Sequence, residues 1–515
     1  MLEFTLAVAI QIANSTILTA IVSMFVLWRY RNGVLKGMEA GGASVVPLRD
    51  LRGRQGDSFD AAAAAPTKLR WERSQRLRIA IAYAATTSTC AVPLAYAVFV
   101  DTEGPNFPSV VLQLALIYAL SAAPMIAVTL ALSAGQIVMA LGALIALFTT
   151  LAVGGRLMEG ALRGWTQSDL VSGFLSFAVG NIPLWMAALF WLLTWPRKLR
   201  GVAPITFSAL LMFSLAPVVT AGSAALAGGA DVMGTAGRSF LFMALPAGYV
   251  AWLRVHRLAH DYGRQRFSDA QLLSRAWWLM LVIPVWAMET TTLFITTVCA
   301  AVIVVFPVVN RLTLAPARRA ARRVPAQSLL VLRVFGHTWR TERLFDRIAA
   351  RWRLFGPVMM IAAPDVSART IDAGDYLRWL TGRTKEIFVS SGSELTARLA
   401  SMHLGFDPDA RYRINALCCR DNAWQATVVE LIHRADAVVM DVRGAAVARA
   451  GCAFELQQLA RRLPLRRLVL VVDGATEAAL LEAAFGPDLD QVSRVTVRRG
   501  RRTRAVFEAL LDAAA

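Results

Sequence analysis

Eight long apolar blocks fill most of the first 310 residues and constrain the fold more than any other feature. A helix needs about 20 residues to cross a hydrocarbon core about 30 Å thick, and these blocks are long enough to do so. The blocks are Phe4–Trp28, Ile79–Val100, Ser109–Leu132, Ile137–Val153, Leu170–Trp195, Val202–Ala227, Gly237–Leu253 and Ala276–Val309. The whole chain is 56% apolar and 17% charged, whereas a soluble domain is about 25% charged. These features predict an α-helical polytopic membrane domain over residues 1–310 and exclude a largely disordered chain.

The connectors between the blocks carry an uneven charge that predicts orientation. The basic connectors are Arg29–Arg78 with net charge +6, Arg197–Arg200 with +3, Arg254–Arg275 with +3 and Asn310–Val324 with +5. The other connectors, Asp101–Pro108, Gly154–Asp169 and Gly228–Ser239, have net charges of −2, 0 and 0. Lys and Arg accumulate on the cytoplasmic side of a membrane. We therefore expect a multi-pass protein of the bacterial inner membrane, with its N-terminus outside and its C-terminal domain in the cytoplasm.

The number of spans depends on the last block, Ala276–Val309. Basic connectors flank it on both sides, and a hairpin that turns near Met288–Thr292 keeps both on the cytoplasmic side. This gives nine spans, with eight as the alternative. Phe4–Trp28 is followed by the basic stretch Arg29–Arg31 and lacks a preceding basic region, so we interpret it as a retained helix rather than a signal peptide.

Ionisable side chains inside membrane helices usually mark function, and these blocks contain very few. Glu289 is the only acidic residue within a block, and the predicted hairpin places it at a hydrated turn. Prolines interrupt several blocks and leave open a small-molecule transporter or channel that is regulated by its soluble tail. The apolar composition favours an anchor or a sensor.

Two basic clusters are candidates for contact with anionic lipid headgroups. The first is the Lys68–Arg78 segment around Trp71, for which an ordinary positive-inside flank is the alternative. The second is Arg494–Arg504, for which a solvated basic face is the alternative. With the lipid bilayer close by, headgroups are favoured over nucleic acid as partners of either cluster.

Beyond Arg311 the composition becomes that of a soluble α/β domain. Residues 311–324 form a basic linker, and residues 325–515 alternate short apolar strands with amphipathic helices. The predicted strands are Leu329–Phe335, Val358–Ala362, Tyr412–Cys418, Ala437–Val442, Arg467–Val472 and Val492–Val497. Such alternation predicts a doubly wound parallel sheet.

Acidic residues follow or end four of these strands: Asp365, Asp421, Asp441 and Asp473. Ligands of open α/β sheets bind outside the carboxyl ends of the strands, so the four acids are candidates for binding ribose hydroxyls, a cation or a base edge. Capping of the next helix is the alternative for each. The chain contains neither G-x-G-x-x-G nor G-x-x-x-x-G-K-[ST], and its five histidines lack metal-ligand spacing. H-E-x-x-H and G-x-S-x-G are absent as well. A conventional dinucleotide dehydrogenase, a P-loop ATPase and a serine hydrolase are therefore not expected, and no metal site is assigned.

The segment GCAFEL after the fourth strand supplies Cys452, Glu455 and Leu456. It resembles the W-C-x-x-E-L helix of Toll/interleukin-1 receptor (TIR) domains, with Gly451 in the place of Trp. The resemblance covers about 30 residues in motif and about 190 in topology, and it implies a TIR-like, flavodoxin-like fold. The tail is also similar to those of bacterial polytopic proteins with R-V-F-G, M-D-x-R-G and G-C-x-F-E-L segments, which implies membrane attachment and no particular reaction.

In catalytic TIR domains the helix glutamate is required for cleavage of NAD, so the resemblance implies that role for Glu455. Arg443 or Arg333 would then grip a pyrophosphate through bidentate contacts. The alternative places Glu455 in a first turn stabilised by the helix dipole and Cys452 in the core. The first strand departs from the family, because Arg333-Val334-Phe335-Gly336-His337 replaces F-[IL]-S-[YH].

The leading hypothesis is an integral membrane protein whose cytoplasmic α/β domain binds a nucleotide or a protein partner in sensing or signalling. A membrane-anchored NAD glycohydrolase acting through Glu455 and a transporter regulated by its tail are the alternatives. NAD or another nucleotide is the candidate ligand, and a homo-oligomer stays open.

Overall fold

The structure is a computed structural model that describes residues 17–34 and 36 with gaps, 65–103, 122–139 with gaps, 204–206, 232–288, 293–333, 339–362, 373–445, 450–497 and 503–514. The chain forms two compact units. The first contains Met1–Met24, Arg76–Val255 and Asp269–Ala315. The second contains Phe25–Gln75, His256–Ser268 and Pro316–Ala515, so two predicted connectors belong to the same unit as the α/β domain.

Helices make up the described part that precedes the α/β domain. They are α1 (Ala65–Glu103), α2 (Ala123–Leu130), α3 (Val232–Gly263), α4 (Asp269–Met288), α5 (Leu293–Thr313) and α6 (Ala315–Ala321). Residues 21–34 are also helical. The predicted span Leu170–Trp195 lies outside the described residues, and Ile137–Val153 and Val202–Ala227 lie outside them almost entirely.

Helices α4 and α5 form an antiparallel hairpin. The indole ring of Trp278 stacks on the phenyl ring of Phe306, with centroids 5.1 Å apart. Trp278 Nε1 donates a hydrogen bond to the Val302 carbonyl at 3.3 Å. Near the other end, Gln271 Nε2 donates to Asn310 Oδ1 at 2.9 Å. Within the long apolar block, α4 ends at Met288 and α5 begins at Leu293. The residues between them, which include Glu289 and most of the predicted turn, lie outside the described residues.

Among the described residues, two helical segments are long and apolar enough to cross a membrane: Pro66–Val98 and Leu293–Ala321. The second segment leaves large apolar side chains exposed, including Leu293, Val304 and Leu312. Exposed apolar area of this kind is rare on a soluble protein.

The second unit contains a parallel sheet of seven strands. The strands are β1 (Leu329–Arg333), β2 (Val358–Ala362), β3 (Phe388–Val389), β4 (Ile414–Cys419), β5 (Ala437–Asp441), β6 (Leu468–Val472) and β7 (Ser493–Thr496). The helices between and after them are α7 (Trp339–Trp352), α8 (Ala373–Leu380), α9 (Gly392–Ala400), α10 (Trp424–Arg434), α11 (Ala450–Arg462), α12 (Ala478–Phe485) and α13 (Thr503–Ala513). The doubly wound parallel α/β architecture is confirmed.

The strand order is β3-β4-β2-β1-β5-β6-β7, and every pairing is parallel. Strands β2-β1-β5-β6-β7 follow the 2-1-3-4-5 order of flavodoxin-like sheets, and β4 and β3 extend the sheet beyond β2. The direction of winding reverses between β1 and β5. In such sheets a ligand site is expected at the carboxyl ends of the two strands at this switch point.

Apolar layers cover both faces of the sheet. On one face, α10, α11 and α12 bury a continuous core. This core contains Leu330, Met440 and Leu470 from the strands and Leu431, Leu456 and Leu481 from the helices. A second cluster of aromatic side chains joins α7 to α13, where the rings of Trp352 and Phe507 meet edge to face at 6.3 Å. Fully buried strands with apolar runs on both sides are typical of parallel sheets.

Connector residues pack against the domain that follows them in sequence by 250 residues or more. The first turns of α1 place Trp71 against Phe355, with ring centroids 5.0 Å apart. Glu72 is 3% exposed and pairs with Arg351 through two hydrogen bonds of 2.9 and 2.6 Å. Lys68 Nζ donates to the Leu511 carbonyl at 3.0 Å. This part of the predicted lipid-binding cluster therefore forms domain contacts, whereas Arg70, Arg73 and Arg78 in the same helix are exposed.

We expect Glu72→Gln to destabilise the protein by about 2–4 kcal/mol, because it leaves the largely buried Arg351 without its carboxylate. Urea unfolding of the full chain in detergent micelles, followed by tryptophan fluorescence, measures the change. The matched control is Arg73→Gln on the next residue, whose exposed side chain should change stability by less than about 0.5 kcal/mol. Equal effects of the two substitutions would contradict the packing of α1 on α7.

Candidate functional site

The switch point lies between the carboxyl ends of β1 and β5. Strand pairing sets the last residue of β1, Arg333, opposite the last residue of β5, Asp441. The loops that follow β1 and β5 begin at these two residues, and α11 begins at Ala450, after the loop that follows β5. The Arg333 side chain and Asp365 lie outside the described residues, as do residues 334–338, 363–372 and 446–449.

Asp441 and Arg443 form a closely matched ion pair at the end of β5. Arg443 Nε donates to Asp441 Oδ1 at 2.8 Å and its Nη2 donates to Oδ2 at 2.7 Å. Asp441 is 1% exposed, and its hydrogen bonds raise the pKa of Arg443 above its ordinary value. The Asp441 carboxylate therefore holds the Arg443 guanidinium in place at the edge of the sheet.

Asp473 closes the turn after β6. Its Oδ1 accepts hydrogen bonds from the backbone amides of Gly444 and Ala475, both at 3.1 Å, and from Thr476 Oγ1 at 3.2 Å. Gly444 has φ of +63°, a left-handed conformation that favours glycine. Asp473 thus ties the loop after β5 to the loop after β6. It does not cap the next helix, because the N-cap of α12 is Glu477, which makes no side-chain cap hydrogen bond. Asp421 lies exposed after β4, and α10 has no side-chain cap at its first residue.

Glu455 lies on the inward face of α11, one turn after Cys452. Its side chain is 3% exposed, and Oε2 has no hydrogen-bond partner among the described residues. Burial raises the pKa of Glu455 to about 8, so the group is a neutral acid at pH 7. Cys452 is buried too, at 5% exposure, and belongs to the apolar core. The first-turn dipole alternative does not describe this position, since Glu455 is the sixth residue of α11.

Gly451, which precedes Cys452, faces the neighbouring helix α10. A Cβ on Gly451 would come within 3.9 Å of the Trp424 ring. That ring also meets Phe454 edge to face, with centroids 5.3 Å apart. The indole of Trp424 from α10 therefore packs beside Gly451, and a large side chain at position 451 would compete with it for space.

A second concave site was not predicted from the sequence. A cavity of about 290 Å³ lies beside the amino-terminal half of β4. Five arginines line it: Arg264, Arg378, Arg383, Arg398 and Arg413. They come from three separate stretches of chain and form no motif, so only the structure brings them together. His403, one of the scattered histidines, lies among them.

No family model, curated protein or solved structure matches this chain. Function therefore has to be inferred from the residues at the two sites.

We expect stability to fall as the pH rises from about 4.5 to about 8 because of Glu455. In this window the folded state keeps the Glu455 proton and the unfolded state has lost it, so the unfolded state binds fewer protons and is favoured by rising pH. The loss is on the order of a few kcal/mol at pH 8. Glu455→Gln should remove it, which thermal unfolding of the full chain in detergent at pH 5 to 8 measures. Glu482→Gln on α12, at an exposed position, is the control and should leave the pH profile unchanged.

Proposed function

We propose that this chain is a multi-pass protein of the bacterial inner membrane whose cytoplasmic, TIR-like α/β domain binds a nucleotide in sensing or signalling. The main observation in support of a nucleotide ligand is the Arg443 guanidinium, which Asp441 holds at the switch point of the sheet through two short hydrogen bonds. Arg–phosphate pairs are charge-assisted and frequently bidentate, so an arginine at this edge suits a phosphate or pyrophosphate. The resemblance of GCAFEL to the TIR helix and the β2-β1-β5-β6-β7 order support the same assignment.

Membrane attachment is supported by the two candidate segments and by the exposed apolar side chains of α5. Orientation is supported by the second unit, which unites residues of Arg29–Arg78, Arg254–Arg275 and Asn310–Val324 with the α/β domain. These are three of the connectors with excess positive charge. Segments in one compact unit share one side of a bilayer, and the positive charge assigns that side to the cytoplasm.

The NAD glycohydrolase alternative is favoured by one observation, the location of the acidic Glu455 next to the switch-point edge. Its chemistry requires a carboxylate that binds ribose hydroxyls or stabilises an oxocarbenium-like centre. A buried, neutral Glu455 has to lose its proton before it can do so, and rising pH would favour that loss. A protein partner at the same edge is a further alternative, with the anionic group supplied by a peptide side chain.

The transporter alternative has no polar pathway in its support among the described helices of the first unit. The polar cluster there is internally satisfied: Asn310 accepts from Gln271, donates to Thr86 Oγ1 at 3.2 Å, and Thr86 contacts Thr313 at 2.7 Å. Interhelical hydrogen bonds of this kind hold membrane helices together.

We expect NAD or ADP to bind the full chain saturably and Arg443→Gln to weaken that binding at least about tenfold, since a charge-assisted phosphate contact is lost. Isothermal titration calorimetry in detergent measures the affinity. Because Arg443→Gln leaves the buried Asp441 without its guanidinium partner, the double variant Asp441→Asn/Arg443→Gln is tested beside it. Arg434→Gln, which alters a half-exposed arginine on α10, is the control and should bind as the unaltered chain does.

The same samples separate the alternatives to nucleotide sensing. Release of nicotinamide from NAD that Glu455→Gln abolishes would replace the sensing proposal by the glycohydrolase. If neither NAD nor ADP binds saturably, the nucleotide proposal is overturned and a protein partner is the alternative that is left.

We expect the variants Ser168→Cys and Asp231→Cys to react with a membrane-impermeant maleimide in intact cells. The variant Lys198→Cys should react only after the cells are opened. The five native cysteines are suited to this test, because all are buried. Labelling of Lys198→Cys in intact cells would overturn the orientation. The unsubstituted chain provides the background.

A further inference from the structure

The arginine-lined cavity lies where the sheet lacks a strand. β3 pairs only with the last two residues of β4, Cys418 and Cys419, so the outer edge of the preceding residues of β4 faces a gap. The Asn415 side chain partly fills the role of a strand there, because it receives a hydrogen bond from the His403 amide at 3.2 Å and donates to the His403 carbonyl at 3.3 Å. The end of α3, helix α8 and the loop after α9 complete the walls.

Positive charge exceeds negative charge in these walls. Arg378 Nη1 and Arg398 Nη2 both donate to the same oxygen, Asp375 Oδ1, at 2.6 and 3.1 Å. One carboxylate therefore serves two guanidinium groups. The two arginine side chains are 21% and 14% exposed, and Asp375 is 5% exposed, so the excess charge is held in a partly dry site where electrostatic interactions are stronger.

Three more arginines surround this pair. Arg413 pairs with Asp407 at 2.9 Å and lies over the Tyr262 ring at 3.9 Å from its centroid. Arg264 and Arg383 lie at the exposed rim with Glu386, the one carboxylate among the described lining residues. Glu386 approaches Arg378 and Arg383 only at 4.0 and 3.9 Å.

The imidazole of His403 reports the positive potential. Burial lowers the pKa of His403 to about 4, and the charges of Arg413, Arg378 and Arg398 lower it as well. His403 is therefore neutral at pH 7, with a lone pair or an N–H available for a hydrogen bond.

We propose that this cavity is a binding site for a small organic phosphate, whose phosphate group contacts Arg378 and Arg398. Guanidinium groups bind phosphate through pairs of parallel hydrogen bonds. Apolar lining residues, Leu377, Met402 and Leu417, suit the carbon part of the ligand. The volume of about 290 Å³ is at the lower end of ligand sites, which matches a small molecule.

The site is separate from the switch point, because it uses the amino-terminal half of β4 rather than the carboxyl ends of β1 and β5. Its phosphate has two sources, a free phosphorylated metabolite or the headgroup of phosphatidic acid. Glycerol 3-phosphate has the headgroup's chemistry without the acyl chains, so it distinguishes them.

The test uses the full chain in nanodiscs of phosphatidylcholine. Phenylglyoxal modifies accessible arginines, and peptide mass spectrometry follows each one. Saturating glycerol 3-phosphate should slow the modification of Arg378 and Arg398 at least fivefold and leave Arg494, which is 44% exposed, unchanged in the same digest. Protection that occurs only in nanodiscs containing phosphatidic acid assigns the lipid as the source and supports the proposal equally.

Variants decide whether these arginines hold the phosphate. Arg398→Gln keeps the Asp375–Arg378 pair and should weaken glycerol 3-phosphate binding at least tenfold in calorimetry, whereas Arg494→Gln should stay within twofold. Ser401→Glu, at an exposed lining position, adds a repulsive charge without touching an ion pair and should also weaken binding.

Arg443→Gln should leave glycerol 3-phosphate binding unchanged, so a failure of the nucleotide site and a failure of this site give different results. No protection by either phosphate source, or equal affinity of Arg398→Gln and the unaltered chain, would overturn the proposal.

Discussion

Pairing of buried arginines with carboxylates holds the second unit together at its least regular points. Arg351 and Glu72 join α7 to the start of α1, Arg413 and Asp407 close the loop before β4, and Asp441 fixes Arg443 at the end of β5. A buried ion pair adds little net stability, but removal of one partner is costly. The Glu72–Arg351 pair therefore fixes the contact of two distant segments by charge, and the other two pairs fix the shape of single loops.

Two places depart from this one-to-one pairing, and both are candidate sites. At the β4 edge, Arg378 and Arg398 share Asp375, which leaves positive charge for an anion. On α11, Glu455 lies buried with an oxygen that contacts no described partner, and it avoids the cost of a buried charge by keeping its proton. Perturbed ionisation, as at Glu455, is typical of functional positions, whereas Arg351 and Arg413 join segments of the fold.

The sequence predicted the sheet well because buried parallel strands are short apolar runs between helices. β2 has the predicted bounds, Val358–Ala362. β5 ends at Asp441, one residue before the predicted end at Val442. β3 was missed because two residues, Phe388 and Val389, are too few for a recognisable pattern. The candidate acids followed the strands as expected, but their partners decided their roles, and Asp473 caps a turn. The arginine cavity was beyond prediction, since its side chains meet only through the tertiary fold.

The connectors show why charge alone describes them incompletely. Their excess of Lys and Arg predicts a side of the membrane, yet several of these residues also bind the α/β domain. The last residues of α3, Ala259, His260, Tyr262 and Gly263, line the arginine cavity, and the same helix begins at Val232. A ligand can shift a conformational equilibrium only by its difference in affinity for the two states. A ligand whose phosphate contacts Arg378 of α8 and Arg398 of α9, in a cavity that the end of α3 also lines, would therefore favour the arrangement in which these three helices lie together.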